Sequence, residues 1–141
     1  MHDNETLRTI AARHSIRLFT DKDVDDAVIR TILTAANQAP SAHNQQSWRF
    51  VVLRDQKKTQ LAALAVSRAG DFPKPSSSLL RMAARSISSA PVVVAIVNTG
   101  DLIARSESLF KLDHPQLNDF FRTMEIQSSA AAVQNLLLAA T

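Results

Sequence analysis

The sequence predicts an α+β fold: a small sheet covered by helices, in one domain over residues 1–141. Three observations carry this. Val24, Ala27, Val28, Ile32 and Ala35 recur at the spacing of one helix face. Trp48–Arg54 and Pro91–Asn98 are short apolar runs of strand length. Helical and strand-like segments alternate loosely, with irregular stretches between them and no repeat or linker, which is the pattern of a sheet with helices packed on it.

In chain order, Glu5 to His14 reads as a helix with Leu7, Ile10 and Ala11 on one face. Ser15 to Thr20 is short and extended. The acidic run Asp21 to Asp26 suits a helix N-terminus, where the dipole favours negative charge. That helix runs to about Gln38 and is stopped by Pro40. Trp48–Arg54 is a strand whose apolar run predicts burial on both faces. Thr59–Arg68 is a helix, Gly70–Ser78 a Pro- and Ser-rich surface loop, and Leu79–Ser89 a helix. Pro91–Asn98 is the clearest strand and is expected to be central. Thr99–Gln116 is irregular with a helical turn around Leu102–Phe110, and Asp119–Ala140 is a long helix. The sheet takes two or three strands from this chain.

The last helix is apolar nearly all round from Ser129 onward: Ala130, Ala131, Val133, Leu136, Leu137, Leu138 and Ala140 share its surface. Such a helix belongs in a core or an interface. It ends at Thr141 without a Gly cap or a basic last turn, so the expectation is a domain incomplete at its C-terminus.

Composition narrows the function classes. Hydrophobic residues at 45% are enough for a core. With no Cys, disulfides and Cys-based zinc sites are excluded. No apolar run approaches the roughly 20 residues of a membrane span, and Met1–Glu5 is polar, so the expectation is a cytoplasmic protein without a membrane partner. The +3 net charge is spread along the chain, and no aromatics interleave with basic clusters, which argues against nucleic acid. His2, His14, His43 and His114 lack paired metal-ligand spacing, so no metal is expected. No nucleophile elbow is present, and Ser41 with His43 makes no triad. Asp113-His114-Pro115 reads as a loop.

Glycine is scarce. Gly70 and Gly100 are the only two, where about ten are usual for this length. Neither lies in a G-x-G-x-x-G or Walker pattern, so a bound phosphate would have to be held mainly by side chains.

Two segments supply such side chains. Arg13-His14-Ser15-Ile16-Arg17 gathers two guanidiniums, an imidazole and a hydroxyl; guanidinium forks fit phosphate oxygens. A helix C-terminus would equally favour basic residues there, but the missing glycine loop and the second segment tilt the reading to anion binding. Ala39-Pro40-Ser41-Ala42-His43-Asn44-Gln45-Gln46-Ser47-Trp48 is a polar loop running into a strand. Its Pro, Ser and Asn are ordinary turn residues; the functional alternative makes Ser41 and Asn44 hydrogen-bonding groups to a planar ring, with Gln46 fixing the loop.

Together these segments resemble the flavin-dependent nitroreductase family. Arg13, Ser15 and Arg17 match its Arg-x-Ser-x-Arg pattern, and His14 fits a common variant. Pro40, Ser41, Asn44, Gln46 and Trp48 match an Ala-Pro-Ser-x-x-Asn-x-Gln-Pro-Trp segment, with Ser47 standing where the family usually has Pro. Ala90-Pro91 and Gln134–Ala140 also resemble it. The resemblance covers about the first two-thirds of the family's length. It implies a nitroreductase-like, helix-covered mixed sheet, C-terminally truncated. It also implies FMN held by Arg13, His14, Ser15 and Arg17 at the phosphate and ribityl chain, and by Pro40, Ser41, Ala42, Asn44 and Gln46 at the ring, the latter from the opposite subunit. NAD(P)H would be the electron donor, and a nitroaromatic, quinone or related small molecule the acceptor, in ping-pong fashion. The flavin does the chemistry, so no catalytic acid or base is assigned. The long last helix, 119–141, would form a homodimer core. The competing expectation is a truncated, catalytically weak or inactive flavin-fold module that acts as a binding or structural protein.

Overall fold

The computed structural model describes residues 4–110 and 115–141. Its elements are α1 (Glu5–Ala12), α2 (Asp26–Asn37), β1 (Trp48–Leu53), α3 (Asp55–Arg68), α4 (Ser76–Ser89), β2 (Val93–Asn98), α5 (Asp101–Phe110) and α6 (Pro115–Ala139), with 3-10 turns at Ala42–Asn44 and Ala69–Asp71. This is α+β: helices and, among the described residues, a sheet of two strands, β1 beside β2. Thr99 N–H donates to Ser47 O at 3.1 Å. The end of β2 therefore lies beside the start of β1, the register of an antiparallel pair. No helix of the described residues is long and apolar enough to cross a membrane.

The chain divides into two units, residues 1–14, 26–50 and 96–141 in one, and 15–25 and 51–95 in the other. In the first, α2 packs on α6, and Asn135 Nδ2 donates to Ala35 O at 3.2 Å. Its core is Ala39, Trp48 and Ala132, flanked by Phe50, Ile96 and Ala131. The alanines of α6 leave room for the indole, and Trp48 Nε1 donates to Asn37 Oδ1 at 3.1 Å, so the buried ring keeps no orphan donor.

In the second unit α3 packs on α4 through small buried residues, Ala62 and Ala84 among them. Arg54, just past β1, meets the Asp23 carboxylate and donates to Val24 O at 2.6 Å. That tie fastens residues 23–24 to the end of the strand.

Several expected boundaries shift, for readable reasons. The helix expected from Asp21 starts at Asp26. Asp23 is otherwise engaged: its carboxylate accepts the Val24 N–H at 2.9 Å and meets Arg54. β1 is not buried on both faces, since Val51 and Val52 are exposed. β2 is one of a pair rather than central among the described residues. The loop expected over Gly70–Ser78 is shortened by a turn at Ala69–Asp71 and by α4 starting at Ser76, and Asp101–Phe110 is a full helix rather than a turn. Asp113 and His114 of the expected loop, like His2, lie outside the described residues.

Candidate functional site

Arg13 closes α1, its backbone N–H donating to Thr9 O at 3.0 Å. Its backbone then turns extended, φ −61 and ψ 125, and starts the arm. His14 Nδ1 lies 2.9 Å from Ala12 O. A carbonyl only accepts, so this nitrogen carries a proton. Arg17 Nη1 reaches Ser15 O at 3.5 Å, a marginal bond. His14, Ser15 and Arg17 are exposed and Arg13 half-buried. Among the described residues neither the Arg13 nor the Arg17 guanidinium meets a carboxylate.

The second segment is built differently. After Ala39, buried at the end of α2, Pro40 turns the chain out. His43, Asn44 and Gln46 have φ of 52, 51 and 50. This left-handed conformation costs a non-glycine residue roughly 1–2 kcal/mol, least for Asn. It persists only where the surroundings impose it. Inside the loop, Ser41 Oγ accepts the Gln46 N–H at 3.0 Å. The backbone closes two tight turns, Asn44 N–H to Ser41 O and Gln45 N–H to Ala42 O, both 3.0 Å. From outside, Ala42 N–H donates to Ser128 Oγ at 3.0 Å and Arg105 Nη1 to Gln45 Oε1 at 2.9 Å. The outcome is a fixed loop with the Asn44 and Gln46 side chains exposed and Ser41 and Ala42 half-buried.

Ser47 is 3% exposed, and its Oγ has no hydrogen-bond partner among the described residues. Its carbonyl serves the sheet, accepting from Thr99 N–H.

The supports of the loop escape a reading by motif. Before the apolar run that opens at Ser129, α6 carries a buried polar stripe of Glu125, Ser128 and Ser129. The Glu125 carboxylate accepts the N–H of Gly100 at 3.2 Å and of Leu102 at 2.8 Å, which caps the start of α5 with negative charge where the helix dipole favours it. Gly100, φ +78, makes the turn that presents both amides. Ser129 Oγ meets Asn98 Oδ1 at the end of β2. The i, i+3, i+4 spacing of Glu125, Ser128 and Ser129 is the one signal that marks a polar buried stripe. Of the apolar residues expected to cover this helix, Leu137 is 41% exposed. Grooves open between α3 and α4 beside Arg81 and Arg85 (620 Å³), among α1, α2 and α6 beside Thr9 and Asn135 (550 Å³) and along α2 beside Arg30 and Phe50 (440 Å³), and neither segment supplies a residue to these linings.

Compared with known proteins, residues 10–141 match the family model described as the nitroreductase family. The chain belongs to the nitroreductase family. A relative from Archaeoglobus fulgidus, provisionally named an NADH dehydrogenase/NAD(P)H nitroreductase, is 32% identical over 136 residues, which are 96% of this chain and 61% of that protein. A crystal structure of a provisionally named nitroreductase from Desulfovibrio desulfuricans, in complex with FMN, is 28% identical with a TM-score of 0.65. The match covers 99% of this chain and 63% of that one. NfrA2 of B. megaterium shares the fold, with a TM-score of 0.70 at 21% identity, over 98% of this chain and 50% of its own. The chain thus spans under two thirds of the length of each of these proteins.

Proposed function

We propose that this nitroreductase-family chain is an FMN-dependent oxidoreductase that takes electrons from NADH or NADPH and passes them to a nitroaromatic, quinone or related acceptor. The observation that carries this is the FMN complex of the Desulfovibrio desulfuricans relative, which matches 99% of this chain. The donor set fits such a cofactor. Arg13 and Arg17 offer guanidiniums that no carboxylate occupies among the described residues, and Ser15 adds a hydroxyl. These groups suit a phosphomonoester and the adjoining ribityl oxygens, with the exposed His14 imidazole between them in sequence.

The ring end falls to Pro40, Ser41, Ala42, Asn44 and Gln46, supplied by the opposite protomer of a homodimer. In this reading Asn44 bonds the edge of the ring, while Ser41, whose oxygen accepts the Gln46 N–H, keeps the loop in shape with its hydroxyl proton still to donate. FMN held by these residues would supply the redox chemistry between the nicotinamide and the acceptor, the two occupying the same site in turn. The protein's part is to hold and aim, and no side chain is assigned as acid or base.

The dimer is formed through residues 119–141. Leu137, 41% exposed on α6, lies in that contact, and covering one such side chain is worth roughly 1.5–3 kcal/mol. The protein works in the cytoplasm on small molecules, with neither nucleic acid nor membrane as partner.

The test is NAD(P)H consumption by the FMN-loaded chain with a nitroaromatic or quinone acceptor. Turnover that follows two half-reactions supports the proposal. A chain that binds FMN but oxidises no NAD(P)H would instead be a binding module.

A further inference from the structure

We infer that Ser128 is a positioning residue for the cofactor: from α6, through the Ala42 amide, it holds the loop that aims Asn44. This rests on the flavin reading above.

The argument begins with the proton count of one hydroxyl. Ser128 Oγ lies 2.7 Å from Met124 O, one turn back along α6. A carbonyl only accepts, so the single hydroxyl proton is committed there. What remains on the oxygen is acceptor capacity, and the Ala42 N–H uses it at 3.0 Å, from 86 positions away in sequence. The hydroxyl is buried at 8% exposure, so water is poorly placed to replace it. Ala42 opens the turn in which His43, Asn44 and Gln46 all take left-handed φ. The Ser41–Gln46 bond closes the loop on itself but does not fasten it to the rest of the molecule. Among the described residues two side chains from outside reach residues 42–46: Arg105, whose tip bonds the half-buried Gln45 side chain rather than the backbone, and Ser128. Of the two, only Ser128 grips the loop backbone beside the strained residues. Without its hydroxyl, the strained turn loses its anchor and the Asn44 side chain loses a fixed direction.

Ser129 is the built-in control. It sits next along α6, is equally buried, and makes one side-chain bond, but to Asn98 at the end of β2 rather than to the loop. Ser128→Ala and Ser129→Ala each delete one buried hydroxyl from the same helix. A merely structural role predicts the same consequences for both.

The experiment uses the full chain and three readings: thermal midpoint, FMN titration, and hydrogen exchange of the amides of residues 42–46. The expected result is similar thermal losses for the two variants. Ser128→Ala alone weakens FMN by about fivefold to tenfold, the effect of one hydrogen bond, and alone speeds exchange at residues 42–46. Ser128→Thr, which keeps the hydroxyl, restores both. Equal FMN affinities for Ser128→Ala and Ser129→Ala, in a wild-type chain that binds FMN, overturn this inference and leave the flavin reading standing. A wild-type chain that takes up no FMN overturns the flavin reading and this inference with it.

Discussion

The arm Arg13–Arg17 keeps its shape by bonds to its own neighbours, His14 to Ala12 and Arg17 to Ser15. The loop Pro40–Trp48 keeps its shape by bonds from outside it: from far along the chain Ser128 to Ala42 and Arg105 to Gln45, and from the end of α2 Asn37 to the Trp48 indole. The arm is extended and, beyond the half-buried Arg13, exposed; the loop holds three left-handed residues and leads into the most buried strand residue, Trp48. The difference suits the two jobs proposed. A phosphate carries charge, and a guanidinium can follow it over a range of positions, so affinity does not need a rigid frame. A planar ring must be met edge-on at set points, so its loop has to be fixed before the ligand arrives, and the frame that fixes it lies on α5 and α6.

The largest test of this contrast is Glu125→Ala. It strips the Gly100 and Leu102 amides of a buried carboxylate, and hydrogen bonds to a charged group are worth roughly 1.5–3 kcal/mol each. A loss of about 3 kcal/mol in denaturant-measured stability is expected. The exchange of residues 42–46 should rise with it, because Arg105 on α5 moves with the start of its helix, while the arm's local bonds stay as they are. Stability within about 0.5 kcal/mol of the wild type would show that α5 is held by something else.

Next in size is the arm. Arg13→Ala and Arg17→Ala should each weaken FMN at least about tenfold, since each deletes a charge-assisted contact. Neither should move the thermal midpoint of the unliganded chain, because among the described residues neither side chain has an ion pair to lose. A large thermal loss in either variant would mean that the arm, like the loop, is knit into the fold.

A smaller effect tests strain in the loop. His43→Gly removes the steric cost of φ 52 and should raise stability by up to about 1 kcal/mol in urea unfolding, the gain reduced by glycine's greater freedom in the unfolded chain. The smallest expected gain comes from Ser47→Ala. The buried hydroxyl lacks a partner among the described residues, so its removal should be neutral to slightly stabilising, by about 0.5–1 kcal/mol. Destabilisation by Ser47→Ala would reveal a hidden partner for that oxygen.

The same contrast explains what could be read from the sequence. The arm was legible as residue types and as a short extended stretch, because its local bonds fall within one short segment. The loop was legible as residue types, but its frame was not. Ser128 and Arg105 lie 86 and 60 positions from the loop atoms they bind, and no local pattern ties such pairs. α6 misled because its alanines and leucines dominate the run after Ser129, while the polar stripe that does the gripping begins just before it, at Glu125. The strands were found in place, but their apolar runs promised burial that a two-stranded pair does not give to Val51 and Val52. Asp21–Asp26 carried a helix-start signature, but part of that charge serves Arg54 and the helix begins at its last residue.

The central claim, that the arm grips a phosphate, is tested most directly by titrating the wild-type chain with FMN and with riboflavin, the same ring and ribityl chain without the phosphate. The account predicts that FMN binds at least about tenfold more tightly, a difference of about 1.4 kcal/mol or more, and that Arg13→Ala with Arg17→Ala erases this preference while leaving riboflavin binding unchanged. Equal affinities of the wild-type chain for FMN and riboflavin would contradict it.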